Sequence, residues 1–235
     1  MMIEIQDLKK SYGNNQVLKG VNLTIEKGSC TALVGNNGSG KSTIVDIITK
    51  SKKANSGQIN YDFDEQKLFE HIGVQLQNAD FDQRLKVKEI IRLWRDIYGE
   101  PDAEIARFIK ILGIDEIMNQ RSTKLSGGQK QKLSILLSVF HQPELLILDE
   151  LTTGLDAATR EDVREFIREY NNKGKTVFIV SHYMDEVEAL CDYVHFLKEG
   201  VIFESGNPKA LLVKHDVKNL QEFVRKNMRK EINHV

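Results

Sequence analysis

Between a short apolar run and a helical pattern stands Gly35-Asn36-Asn37-Gly38-Ser39-Gly40-Lys41-Ser42-Thr43, with the spacing G-x-x-x-x-G-K-[ST]. Glycines let backbone N–H groups turn inward around an oxyanion with no side chain in the way. The helix that follows adds the positive end of its dipole. In such a loop Lys41 lies against the β and γ phosphates of a nucleotide and the Ser42 hydroxyl is a ligand for Mg²⁺. With ordinary glycine usage, a chance match somewhere in 235 residues comes to about 1%, and requiring a strand before it and a helix after it lowers that further.

A second stretch could complete this chemistry. Leu145-Leu146-Ile147-Leu148-Asp149-Glu150 is an apolar run that ends in two adjacent acids. A run this apolar belongs in the centre of a parallel sheet, so Asp149 emerges at the carboxyl edge, where α/β sheets place their ligands. One carboxylate there can hold Mg²⁺, and its neighbour can orient or deprotonate an attacking water. A solvated acidic turn is the competing reading. Leu125-Ser126-Gly127-Gly128-Gln129 fits an exposed turn leading into a helix, with N–H groups and a hydroxyl free at a positive helix end. That is a second anion site in one chain, although by itself the stretch reads better as an ordinary N-cap with Ser126 as the capping residue.

These residues need a scaffold. Short apolar or β-branched runs predict strands at Ile3–Leu8, Val21–Ile25, Cys30–Val34, Gln58–Tyr61, Ile72–Gln75, Leu145–Leu148, Val177–Val180, Tyr193–Leu197 and Val201–Phe203. Helical patterns occupy Lys41–Thr49, Val87–Tyr98, Asp102–Leu112, Gly127–Phe140, Ala157–Asn171 and Met184–Leu190. From Val87 to Phe140 there is no convincing strand, whereas strands and helices alternate on either side, which predicts an α/β body interrupted by a helical lobe.

Composition excludes several alternatives. Hydrophobic residues make up 40% and charged residues 29% of the chain, which rules against a disordered or collagen-like protein. The longest apolar runs, such as Leu145 to Leu148, fall far short of the roughly 20 residues a membrane helix needs. With 33 Lys and Arg against 34 Asp and Glu, the formal charge of −1 argues against a general nucleic-acid binder. Met1 to Gln6 shows no basic segment followed by an apolar stretch, so cytoplasmic residence is the default expectation. Cys30 and Cys191, both in apolar stretches, are expected as buried thiols. His71, His141, His195, His215 and His234 have no catalytic context and are expected to be structural or solvent-facing; no His/Cys spacing suggests a metal cage.

Taken in order, the phosphate loop, the Leu125–Gln129 signature and the acid-terminated strand resemble the nucleotide-binding subunit of an ATP-binding-cassette (ABC) transporter, over nearly the whole chain. Tyr12, in Ser11-Tyr12-Gly13, resembles the aromatic residue that stacks on adenine. Gln77, closing Ile72-Gly73-Val74-Gln75-Leu76-Gln77, resembles the glutamine that touches Mg²⁺ and water, with Gln75 as its competitor for the role. Thr153-Gly154-Leu155-Asp156 is similar to the loop that crosses the dimer interface, and His182 corresponds to the switch histidine. The chain departs from the family's pattern at Leu151 and Ala157, where Pro is usual; neither is a phosphate or metal ligand, so turn rigidity is what they put in question.

The resemblance implies an α/β fold, a P-loop NTPase of ABC type with a mixed sheet core, an antiparallel β subdomain and an inserted α-helical lobe. The expected division is one ATPase domain, with core and β subdomain at about 1–77 and 141–206, the helical lobe at about 78–140 and a helical tail at about 207–235. It further implies a nucleotide held by Tyr12 and by Gly35, Asn36, Asn37, Gly38, Ser39, Gly40, Lys41, Ser42 and Thr43. Mg²⁺ would be ligated by Ser42, Gln77 and Asp149, with Glu150, His182 and Gln77 as the catalytic set. Ser126, Gly127, Gly128, Gln129 and Asp156 would reach the ATP of a second cassette, in a homodimer or heterodimer closed by ATP. The implied partner is an integral membrane permease, not a nucleic acid, and the implied location is the cytoplasmic face of the membrane. Ser181-His182-Tyr183-Met184-Asp185-Glu186-Val187-Glu188 looks like the pattern of bacterial drug, peptide and polysaccharide exporters. Importer cassettes and soluble non-transport cassettes are the alternatives. Lys209 to Val235, with seven Lys/Arg against three Asp/Glu, reads as a solvated C-terminal helix ahead of a lipid-binding one.

Overall fold

The computed structural model describes residues 1–75, 81–100, 102–149 and 155–227. In chain order these form β1 (Ile3–Tyr12), β2 (Asn15–Ile25), β3 (Cys30–Gly35), α1 (Lys41–Ile48), β4 (Ser56–Tyr61), α2 (Leu68–His71), β5 (Ile72–Gln75), α3 (Val87–Tyr98), α4 (Ala103–Ile111), α5 (Gly127–Ser138) and β6 (Leu145–Asp149). They continue with α6 (Ala157–Asn172), β7 (Thr176–Ser181), α7 (Met184–Leu190), β8 (Tyr193–Lys198), β9 (Val201–Gly206), α8 (Pro208–Lys214) and α9 (Leu220–Asn227). The chain divides into two units, residues 1–65 with 178–235 and residues 66–177.

The first unit carries an antiparallel sheet in the order β2-β1-β4 and, on strands β3, β8 and β9, a mixed arrangement. β3 and β8 are parallel, with Thr31 opposite Tyr193 and Gly35 opposite Leu197, whereas β8 and β9 are antiparallel. All six residues of β3 are buried, the signature of a strand covered on both faces. β1 is longer than its apolar pattern predicts. Lys9, Lys10 and Ser11 interrupt the alternation, yet backbone pairing with β2 continues through register shifts to Tyr12 opposite Asn15, and Gly13 closes the turn with φ +58.

The tail of this unit is only partly solvated. Leu211, Leu220 and Phe223 are buried, with the Phe223 ring 4.8 Å from that of Phe196, while Arg225 and Lys226 on α9 stay exposed. Its amphipathic spacing explains both faces.

In the second unit β5 and β6 pair in parallel, Ile72 opposite Leu145 and Gln75 opposite Leu148. Leu145 to Leu148 have no exposed surface, so truncating Leu146 to Ala removes packing worth about 2–5 kcal/mol. α3 buries Val87, Ile90 and Ile91, the i, i+3, i+4 face of its pattern. α5 stops two residues short of the predicted Phe140. The N–H groups of Val139 and Phe140 fall back on the carbonyls of Leu136 and Leu137, and Gln142, at φ +55, precedes Pro143, which cannot extend a helix. Phe108, Phe166 and Tyr170 cluster between α4 and α6, Phe108 meeting Phe166 edge to face with ring centroids 4.9 Å apart and Phe166 stacking on Tyr170.

Candidate functional site

In the first unit β3 delivers Gly35 to the start of the loop, and α1 begins at Lys41. The loop is built around close approaches. A Cβ on Gly35 would stand 2.5 Å from the Ser39 hydroxyl and 2.6 Å from the Leu197 carbonyl, so no larger residue fits. Gly40 has φ +111, a conformation L residues avoid. Gly40 caps α1 without a side chain, and no acidic residue occupies the first turn, so the positive helix end is left to a ligand.

Lys41, 6% exposed, folds back over the loop and donates to the Gly35 carbonyl at 2.8 Å and to that of Asn36 at 3.2 Å. Its ammonium is thereby held over the same loop whose N–H groups would wrap a phosphate. Ser39 is buried and its hydroxyl has no hydrogen-bond partner among the described residues, which is how a group reserved for an anion looks. Asn36, Asn37, Gly38 and Ser42 are exposed and Thr43 is half-buried.

Tyr12 belongs to the same unit. The residue is 43% exposed, with the Lys10 and Lys52 ammoniums 5.1 and 5.6 Å from its ring centroid. Lys52 in turn pairs with Asp46 of α1 at 2.7 Å, and that hydrogen bond and charge hold the Lys52 ammonium above its ordinary pKa. This support for Tyr12 was not read from the sequence; a lysine next to a lysine in Lys52-Lys53 carries no local signal of its target. His182 is exposed, its ring 4.2 Å from that of Tyr183. The turn that carries it is fixed by the buried Ser181, whose hydroxyl accepts from the Tyr183 N–H at 3.0 Å and faces the Glu186 carboxylate at 3.5 Å.

The second unit holds the other candidates. Asp149 ends β6 at the carboxyl edge and is 8% exposed. Ser126 caps α5 in a reciprocal capping box: its hydroxyl accepts from the Gln129 N–H at 3.2 Å while the Gln129 side chain accepts from the Ser126 N–H at 3.0 Å. The ordinary N-cap reading is therefore realised. A hydroxyl that accepts one bond still has its own proton to donate, so capping leaves Ser126 able to meet an anion.

Asp156 caps α6, accepting from the Thr159 N–H at 2.9 Å and the Thr159 hydroxyl at 2.8 Å. These bonds, the backbone one foremost, hold its carboxyl below the usual aspartate pKa. A Cβ on Gly128 would stand 3.0 Å from the methyl of the same Thr159, so the signature turn and the Asp156 cap meet at one residue. Thr159 was missed by sequence reasoning; the Asp-x-x-Thr spacing of a capped helix start could have found it. Glu150, Gln77, Thr153 and Gly154 lie outside the described residues. The competitor for Gln77, Gln75, is fully buried at the end of β5.

Residues 18–153 match the ABC transporter family. The chain is similar to the lantibiotic transport ATP-binding protein SrtF of Streptococcus pyogenes, 36% identical over 203 residues, covering 86% of this chain and 89% of that protein. It is 32% identical over 219 residues to the linearmycin resistance ATP-binding protein LnrL of Bacillus subtilis (strain 168), covering 89% of this chain and 70% of that one. It is also 32% identical over 212 residues to the tungstate uptake system ATP-binding protein TupC of Peptoclostridium acidaminophilum, covering 87% and 98%. Among solved structures, the ATP-binding subunit of an ABC transporter superposes with a TM-score of 0.86 at 23% identity, covering 97% of this chain and all of that one, a likeness of fold. A dimeric bacterial ABC transporter cassette superposes with a TM-score of 0.75 at 26% identity, covering 88% and 98%.

Proposed function

We propose, from the premise that this chain belongs to the ABC transporter family, that it is the ATP-hydrolysing subunit of an exporter and drives a separate membrane permease. The observation that carries the nucleotide site is the cradle itself: a side-chain-free helix start at Gly40, the unpartnered Ser39 hydroxyl, and the Lys41 ammonium held over Gly35 and Asn36. A triphosphate exchanges the two carbonyl partners of Lys41 for phosphate oxygens, and the ammonium then neutralises charge in the loose phosphoryl-transfer state. Tyr12 stacks on the base.

Glu150 is the proposed general base or water-orienting residue, His182 the contact to the γ-phosphate, and Gln77 the residue that touches the water. The donor chemistry of Ser42, Asp149 and Gln77, all oxygen, suits Mg²⁺, which when bound would draw charge from the phosphates. Ser126 to Gln129 and Asp156 are the proposed contacts to the ATP of a second cassette, and the dimeric cassette of similar fold supports that pairing.

No helix of the described residues is long and apolar enough to cross a membrane; the separate permease and the peripheral place at the cytoplasmic face are proposed from the ABC transporter match and the transport ATP-binding relative. Export is favoured by the lantibiotic transport and linearmycin resistance relatives. Import is the second reading, favoured by the tungstate uptake relative.

The test is Glu150→Gln, assayed for ATP binding at equilibrium, phosphate release at steady state, and mass by light scattering with ATP. The expected result is retained binding, phosphate release reduced at least about 100-fold as for the loss of a general base, and an ATP-dependent dimer. Undiminished phosphate release would refute the role given to Glu150.

A further inference from the structure

The chain has 2 cysteines, 161 positions apart in sequence, and the fold brings their sulfur atoms to 3.5 Å within the first unit. Cys30 is the first residue of β3, the strand that leads to the phosphate loop. Cys191 is the C-cap of α7, the helix that starts two residues after His182. The backbone around the pair is clasped from both sides: the Asp192 N–H donates to the Cys30 carbonyl at 2.8 Å, and the Cys30 N–H donates to the Asp192 carboxylate at 2.9 Å. The juxtaposition is thus set by one backbone bond, one bond to the Asp192 carboxylate, and the adjoining β3–β8 pairing that begins with Thr31 opposite Tyr193.

We propose that Cys30 and Cys191 form a reversible disulfide within one chain when the protein meets hydrogen peroxide. Closing from 3.5 Å to the bonded distance of about 2.05 Å asks each sulfur to move by less than an ångström, within reach of small side-chain rotations. The balance is complete. One sulfur, having lost its proton, attacks the peroxide; an S–O bond forms, the O–O bond breaks, and the leaving hydroxide takes up that proton as water. The second sulfur attacks the resulting sulfenic sulfur; the S–S bond forms, the S–O bond breaks, and a second water leaves with the second thiol proton. The two thiols lose two electrons and the peroxide is reduced to two waters.

The reaction is slow in the resting protein. Cys30 is fully buried and Cys191 is 9% exposed, reachable from the side of the exposed Asp192. The hydrogen bond with Cys30 and then burial hold the Cys191 thiol well above its ordinary pKa, and Asp192 and Glu186 push it the same way. Cross-linking follows upon openings of the α7 end and is reversed by a dithiol. Its structural result is to tie the start of the phosphate-loop strand to the end of the helix behind His182.

The experiment exposes the whole native protein to hydrogen peroxide, quenches, denatures, alkylates with N-ethylmaleimide and weighs the intact chain. The expected product is a monomer lighter by two hydrogens that takes up no alkylating group, and that regains both sites after dithiothreitol. Because the bond closes a loop spanning most of the chain, its Tm is expected to exceed that of the reduced form by at least about 5 °C. Cys30→Ala and Cys191→Ala, oxidised in parallel, should show neither change. Two alkylated cysteines after peroxide, a disulfide-linked dimer, a sulfinic acid on one cysteine, or a Tm rise that persists in Cys191→Ala would each overturn the proposal.

Discussion

Replacing Lys41 by Ala tests the cradle most directly, because the same ammonium holds loop carbonyls and is proposed to meet phosphate. In the resting chain it donates to the Gly35 and Asn36 carbonyls at 2.8 and 3.2 Å from a side chain only 6% exposed. With nucleotide bound it is to serve the β and γ phosphates. A hydrogen bond involving a charged group contributes about 1.5–3 kcal/mol, and each 1.4 kcal/mol is tenfold in Kd. The gross effect on ATP binding is therefore about 10-fold to 150-fold. The net effect lies in the lower half of that range, since wild-type Lys41 gives up two carbonyl bonds when it turns to the phosphates. Stability moves separately: the Gly35 carbonyl is left buried with a lost donor, a cost of about 1–3 kcal/mol, or about 2–12 °C in Tm for a chain of this size. The assay is calorimetric titration with ATP at fixed Mg²⁺, run below the melting range established by circular dichroism. An unchanged Kd in a folded Lys41→Ala protein would refute the phosphate-loop assignment.

Gly35→Ala forces a methyl to within 2.6 Å of the Leu197 carbonyl and 2.5 Å of the Ser39 hydroxyl, and should lower both Tm and ATP affinity; melting and titration unchanged from wild type would contradict the close approach. Tyr12→Ala should weaken ATP binding about 2-fold to 12-fold through lost stacking while leaving inorganic tripolyphosphate binding as it is; equal losses for both ligands would remove Tyr12 from the base. Asp156→Ala loses the cap on α6. Since the folded pKa of Asp156 is depressed below 3.8, the stability it contributes is present above that value and fades as pH falls through the folded pKa. The Tm gap between wild type and variant should accordingly be open at pH 7 and narrow below about pH 4; a gap independent of pH would show that the carboxylate charge is not what caps the helix.

Much of this was legible in the sequence, for identifiable reasons. Buried strands such as Cys30–Gly35 and Leu145–Asp149 declare themselves as unbroken apolar runs because both faces are covered. The half-exposed hairpin of β1 and β2 declared only the stretches Ile3–Leu8 and Val21–Ile25, since the residues nearer the turn, such as Lys9 to Ser11, are placed by backbone pairing, which side-chain pattern does not encode. The loop was legible because glycines, Lys41 and Ser42 are contiguous. What supports the loop was not: Leu197, which crowds Gly35, and Asp46 and Lys52, which stand behind Tyr12, come from elements whose own sequence has no reason to mention the ligand. The Cys30–Cys191 pair is the extreme case, two ordinary core residues by pattern and one chemical unit by topology.

The capping box at Ser126 bears on how one turn can serve both the fold and the proposed anion contact. A helix start needs acceptors for its free N–H groups, and an anion site needs donors, so a side chain that only accepts would spoil the site it stabilises. Asp at position 126 would do that, adding a negative charge where the triphosphate is proposed to approach. Serine resolves the conflict, because its hydroxyl accepts from Gln129 while its proton remains to be given. Gln129 closes the box as a neutral acceptor in the place where glutamate is the usual alternative, again keeping charge away from the turn. Gly127 adds open space, since a Cβ there would meet nothing. Asp156, tied to this turn through Thr159, has both oxygens accepting from Thr159 at the start of α6, while Ser126 and Gly127 stay exposed, as the proposed contact to a partner's phosphate requires.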